Sequence, residues 1–121
     1  MRLVVPLLAS GLLLGSAPSA DAHAFLERAE PAVGSTVGTA PAALTLRFSE
    51  PLELAFSVVR VQDATGARVD RNDATADPTD RRALRIGLQA LRPGTYKVTW
   101  RVVSVDTHVT TGDFVFHVAP P

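Results

Sequence analysis

Three histidines, at positions 23, 108 and 117, are the only imidazoles in the chain, and two of them stand in company suited to metal chemistry. His108 follows Asp106 by two residues, and side chains at i and i+2 of an extended chain point the same way. A carboxylate and an imidazole can therefore converge on one ion. His23 follows Ala20-Asp21-Ala22, a small-residue run of the kind at which secretory leaders are cut. Cleavage after Ala22 makes His23 the first residue, so that its α-amine and ring Nδ1 close a six-membered chelate. The two donors arrive already linked, and the second bond needs little further ordering. Two imidazole nitrogens, one amine nitrogen and one carboxylate oxygen form the N,O set with tetragonal preference that suits Cu(II) and, after it, Ni(II). Taken singly, a D-x-H triplet is commonly a turn with a capping aspartate, and a terminal histidine an accident of processing. Their conjunction in a chain with one other histidine puts metal binding level with these structural readings. His117 alternates away from Phe114 and Phe116 and reads as a surface residue. Glu50 ends a strand before Pro51 and reads as a solvated edge residue.

The elements that must position these groups are strands. Residues 44–50 (LTLRFSE) alternate apolar and polar, the period of a half-buried strand. Residues 57–62 (SVVRVQ) are rich in β-branched side chains, and residues 83–88 put Leu84, Ile86 and Leu88 on one side. In 95–103, Tyr96, Val98, Trp100 and Val102 share a face, with Trp100 as the core anchor. Phe114, Phe116 and Val118 do the same in the last strand. Turn chemistry at Glu30-Pro31-Ala32-Val33-Gly34-Ser35, Ala64-Thr65-Gly66 and Arg92-Pro93-Gly94 separates the runs. Residues 70–82 carry four aspartates and read as a solvated loop. Nothing shows a long 3.6-residue period. The pattern predicts an all-β fold: an Ig-like β-sandwich of about seven strands.

Residues 1–22 read as a signal peptide and residues 23–121 as one domain. Arg2 supplies a charged start, residues 3–14 (LVVPLLASGLLL) an apolar core, and Ala20-Asp21-Ala22 the exit. The apolar run falls short of the roughly 20 residues needed to span a bilayer. Cleavage after Ala20 would instead expose Asp21-Ala22-His23, an x-x-His terminus, but puts Pro18 where a small residue is wanted. The expected product is periplasmic or secreted and has no membrane span. Twelve basic and twelve acidic residues balance, and no basic cluster offers itself to nucleic acid. This neutrality predicts a monomer. Cysteine is absent and the only methionine is Met1, so no disulfide scaffold is available and the cleaved chain holds no sulfur.

The blocks His23-Ala-Phe-Leu, Glu30-Pro31-Ala-x-Gly34-Ser35, Leu46-Arg47-Phe48-Ser49-Glu50 and, above all, Pro93-Gly94-Thr95-Tyr96-x-Val98-x-Trp100-Arg101-Val102-Val103-Ser104-x-Asp106-x-His108-x-x-x-Gly112-x-x-x-Phe116-x-Val118 resemble the CopC family of periplasmic copper-resistance proteins. The resemblance spans nearly all of residues 23–121. It implies a small Greek-key sandwich holding one Cu(II) ion, with His23, Asp106 and His108 as ligands and Glu50 as a weak ligand or outer partner. It also implies a CopD-like inner-membrane protein as partner. Some members hold Cu(I) in a methionine-rich segment. The corresponding residues 62–82 contain no Met, Cys or His, and soft Cu(I) prefers sulfur, so no Cu(I) site is expected. A copper carrier rather than an enzyme is the expectation. The alternatives are a mono-copper oxidative enzyme with an N-terminal histidine brace and a metal-free Ig-like interaction module.

Overall fold

Alternation in the two longest strands sets the core. In the computed structural model, which describes residues 23–121, β7 (Gly94–Val103) and β8 (Val109–Val118) form a ten-residue antiparallel hairpin. Its inner face carries Tyr96, Val98, Trp100, Val102, Phe114, Phe116 and Val118, all buried. This hairpin lies in a sheet of order β2-β8-β7-β4, with β2 at Thr36–Val37 and β4 at Val58–Gln62. A second sheet, order β1-β3-β6-β5, packs over it and contributes Leu44, Leu46, Phe48, Leu84 and Ile86. Its strands are β1 (Leu26–Glu30), β3 (Ala43–Phe48), β5 (Thr75–Asp77) and β6 (Asp80–Gly87). The chain changes sheets at every connection except β5–β6 and β7–β8, the interleaved connectivity of a Greek-key sandwich.

The described residues thus form eight strands against an expected seven or so, and the surplus is short: β2 has two residues and β5 three, too few to show a period. The signal-peptide assignment to residues 1–22 lies outside the described residues. Among the described residues, no helix is long and apolar enough to cross a membrane.

Residues 70–82 do not form the solvated loop that their aspartates suggest. They contain β5 and the start of β6, and Asp70 is only 4% exposed. Its carboxylate accepts the amide of Val61 on β4 at 2.8 Å and the Arg68 guanidinium at 2.9 Å. With the Val69 amide donating to the Val61 carbonyl, this segment covers part of the outer edge of β4. Acidic composition reads as solvent exposure unless the carboxylate replaces a backbone acceptor, as it does here.

Trp100 is the anchor expected of it, edge-on to Phe48 with ring centres 6.0 Å apart and tilted against Phe114 at the same distance. Its ring also lies flat over Gly112, its cross-strand partner. A methyl group at Gly112 would sit 2.2–2.8 Å from three ring atoms.

Gly112→Ala therefore displaces a rigid indole and should cost about 1–3 kcal/mol, seen as a lower urea midpoint; an unchanged midpoint would contradict the close approach. Asp70 supplies a second expectation. Burial raises its carboxyl, but the Arg68 guanidinium and the Val61 and Asn72 amides outweigh burial and hold it below its ordinary value. A depressed folded-state pKa stabilises the fold above the unfolded value of about 3.9, and that contribution is lost as pH falls below it. Asp70→Asn should flatten the acid limb of a stability–pH curve, and superimposable limbs would contradict this.

Candidate metal centre

Antiparallel pairing gathers the chemically interesting residues at one end of the sandwich. The β7–β8 hairpin closes there through Asp106 and His108, and the end of β3 meets the start of β1 there, Leu26 opposite Phe48. The short segment after β3 joins the two. The Pro51 carbonyl accepts the Val105 amide at 3.0 Å, Leu52 bridges to Ser104, and the Glu53 amide donates to the Val103 carbonyl at 2.8 Å. Leu52 is buried and fixes this segment to the core.

Asp106 and His108 do converge, though not by strand alternation. Residues 105–107 are a three-residue hairpin loop. The Thr107 amide donates to the Ser104 carbonyl at 2.8 Å, the Ser104 amide to the His108 carbonyl at 3.0 Å, and Thr107 takes a φ of 72°. A type I turn followed by one left-handed residue commonly closes such loops, and glycine usually fills that position. A β-branched residue there stores strain on the order of 1–3 kcal/mol. The loop brings Asp106 Oδ1 within 3.4 Å of His108 Nδ1, with both side chains half-exposed.

Ser104 organises the loop from below. It is fully buried, its hydroxyl donates to Asp106 Oδ1, and it lies 3.3 Å from both the carbonyl and the amide of His108. The Ser104 hydroxyl is the main reason that the Asp106 carboxyl lies below its ordinary value; burial opposes it, and the nearby His108 ring adds to the lowering. The carboxylate thus keeps its negative charge beside the imidazole in mildly acidic solution.

His23 reaches the same place from the far end of the sequence. Ala24 beside it is wholly buried in the core. The His23 ring lies edge-on to that of His108, centres 5.2 Å apart, and 6.5 Å from Phe25. An imidazole nitrogen binds a first-row ion at about 2.0 Å, which puts each ring centre about 3.1 Å from that ion. Two rings on one ion then lie about 4.5 Å apart when cis and about 6.3 Å when trans. The observed separation falls between these values. Among the described residues, no three His, Asp or Glu side chains already form a closed metal-holding group. The donors expected from sequence include one that such a group omits, the α-amine released by cleavage before His23.

Glu50 is half-buried beside Ser49, between the segments that carry His23 and the hairpin loop. His117 lies at the other end of β8, half-buried, its Nδ1 2.8 Å from Thr95 Oγ1. Ser49 and Ser104 stand inside the Leu46-Arg47-Phe48-Ser49-Glu50 and Ser104-x-Asp106-x-His108 blocks, but a serine at a strand end carries no sequence signal of what its hydroxyl binds.

Compared with known proteins, residues 26–119 match the family model of the CopC domain. Protein YobA of Escherichia coli (strain K12) is 40% identical over 102 residues, covering 84% of this chain and 82% of that protein. The crystal structure of CopC from Methylosinus trichosporium OB3b gives a TM-score of 0.76 at 34% identity, covering 81% of this chain and 95% of that one. PcoC, a methionine-rich copper resistance protein from Escherichia coli, gives a TM-score of 0.67 at 34% identity, covering 79% and 98%.

Removing the Ser104 hydroxyl should let the Asp106 carboxyl titrate at higher pH. In metal-free Ser104→Ala, an NMR titration of the Asp106 carboxyl carbon should have a midpoint above that of the parent. Coincident midpoints would mean that the hydroxyl does not hold the charge.

Proposed function

The chain belongs to the CopC family, and from that premise we propose that it captures a single Cu(II) ion between His23, Asp106 and His108 and carries it as cargo. A role in copper resistance is what the PcoC relative is named for. What supports the particular ligands is one observation: the His23 and His108 rings, from opposite ends of the sequence, meet 5.2 Å apart beside the Asp106 carboxylate. Nitrogen donors with a carboxylate suit Cu(II). Beyond Met1 the chain has no sulfur, in contrast to its methionine-rich relative, and this speaks against a site for Cu(I). Glu50, half-buried between Ser49 and Pro51, is the outer partner in this proposal.

The three residues divide the labour. The His23 amine and ring form the chelate once the preceding residues are removed. His108 supplies the second imidazole, and Asp106 neutralises part of the ion's charge. Both hairpin ligands are about half-exposed, so an acceptor has access to the ion. A periplasmic or secreted setting and delivery to a CopD-like membrane protein complete the proposal. The mono-copper oxidative enzyme finds no support in the surface. Phe48, Tyr96, Trp100, Phe114 and Phe116 are in the core, leaving only Phe25 and Phe56 to face a substrate.

Protein beginning at His23 should bind one equivalent of Cu(II), and binding should weaken on acidification because imidazole and amine ligate only when unprotonated. His108→Ala and Asp106→Asn should each weaken binding by more than the roughly 10–100-fold that loss of an outer partner costs. A chain with one extra residue before His23 should lose as much. Competition titration against a chromophoric chelator reads all of these. Equal affinities for the trimmed and extended proteins would refute the chelate.

A further inference from the structure

We propose that Ser49 is the positioning residue that sets where the amino end of His23 lies, and so pre-arranges the chelate before copper arrives; the inference rests on the copper-binding proposal above. Phe25 and Ser49 face each other where β1 and β3 run out. In a regular antiparallel pair each would donate its amide to the other's carbonyl. Only half of that exchange is made between backbones: the Ser49 amide donates to the Phe25 carbonyl at 2.8 Å. The Phe25 amide instead donates to the Ser49 hydroxyl at 2.8 Å. The chain after Ser49 turns away to bind the hairpin loop through Pro51 and Leu52, and the hydroxyl takes the place of the departing carbonyl.

The same hydroxyl donates to the His23 carbonyl at 3.3 Å. It therefore brackets Ala24, whose methyl is fully buried. With Ala24 pinned, two rotations remain to His23: one about the Ala24 N–Cα bond, which carries the whole planar peptide and His23 with it, and one about the His23 Cα–C bond, which swings the amine and the imidazole alone. The bond from Ser49 to the His23 carbonyl opposes the first, and so fixes the place of the His23 Cα from which the amine and the imidazole project. The Ser49 hydroxyl bonds to backbone atoms of Phe25 and His23, and Ser49→Ala leaves both the backbone bond to Phe25 and the Ala24 plug in place. The loss falls on the aim of the terminus rather than on the fold.

The test uses protein beginning at His23 and Cu(II) itself as the probe. Ser49→Ala should weaken Cu(II) binding about tenfold, the lower end for an outer partner. Its frozen-solution EPR spectrum should show broadened or doubled copper hyperfine lines, because the terminus no longer has one orientation. Ser49→Thr should restore both. Ser49→Thr and Ser49→Val, matched in shape and differing in the hydroxyl, repeat the comparison should the alanine variant fold poorly. Parental affinity with one unchanged spectrum in both Ser49→Ala and Ser49→Val would overturn the inference. His23→Ala in the same titration separates the two levels. If it binds Cu(II) like the parent, the copper assignment itself falls. If it loses binding while the Ser49 variants keep theirs, only the role of Ser49 falls.

Discussion

The backbone between Ser49 and Glu53 is the constraint on which the candidate centre depends. Through Ser49 it holds the entry segment, His23 to Phe25, and through Pro51, Leu52 and Glu53 it holds the end of the β7–β8 hairpin. Leu52 fixes it in the core, as Ala24 fixes the entry segment. Segments from the two ends of the chain are thus tied to one short stretch, and the meeting of His23 with His108 follows from this arrangement. A sandwich gives rigidity to its sheets and freedom to its ends. Here one end has been given its own set of bonds.

Those bonds also set the chemistry. A cation can be held cheaply only if the donors need little rearrangement and carry compensating charge. The Ser104 hydroxyl keeps Asp106 ionised and aligned, and the Thr107 conformation closes the loop tightly enough to set the carboxylate beside His108. Strain at Thr107 and the buried Ser104 hydroxyl hold the loop in one conformation. They fit a site arranged before the ion is bound. The half-exposure of Asp106 and His108 fits the proposed carrier, which must later release its ion.

Much of this was legible in the sequence. Residues 95–103 and 114–118 alternate so regularly that their faces and their place in the core follow from period alone, and Trp100 anchors the core as expected. The candidate ligands His23, Asp106 and His108 stand out because imidazoles are rare in the chain. Period counting could not find β2 and β5, which are too short to have a period, nor the burial of Asp70, whose partners are backbone amides with no sequence signature. It also assigned the approach of Asp106 to His108 to an extended strand, when a tight loop with a left-handed threonine produces it. Least visible were Ser49 and Ser104. A hydroxyl that replaces a carbonyl in a ladder looks, in one dimension, like any serine at a strand end.

The most direct test is a crystal structure of the protein cut before His23 and loaded with Cu(II). It should show a single ion about 2 Å from the His23 amine, its Nδ1 and one nitrogen of His108, with the Asp106 carboxylate completing the set and the Ser49–Glu53 stretch unmoved. An ion bound elsewhere on the surface, or a terminus lifted away from the hairpin loop in the loaded protein, would contradict the account.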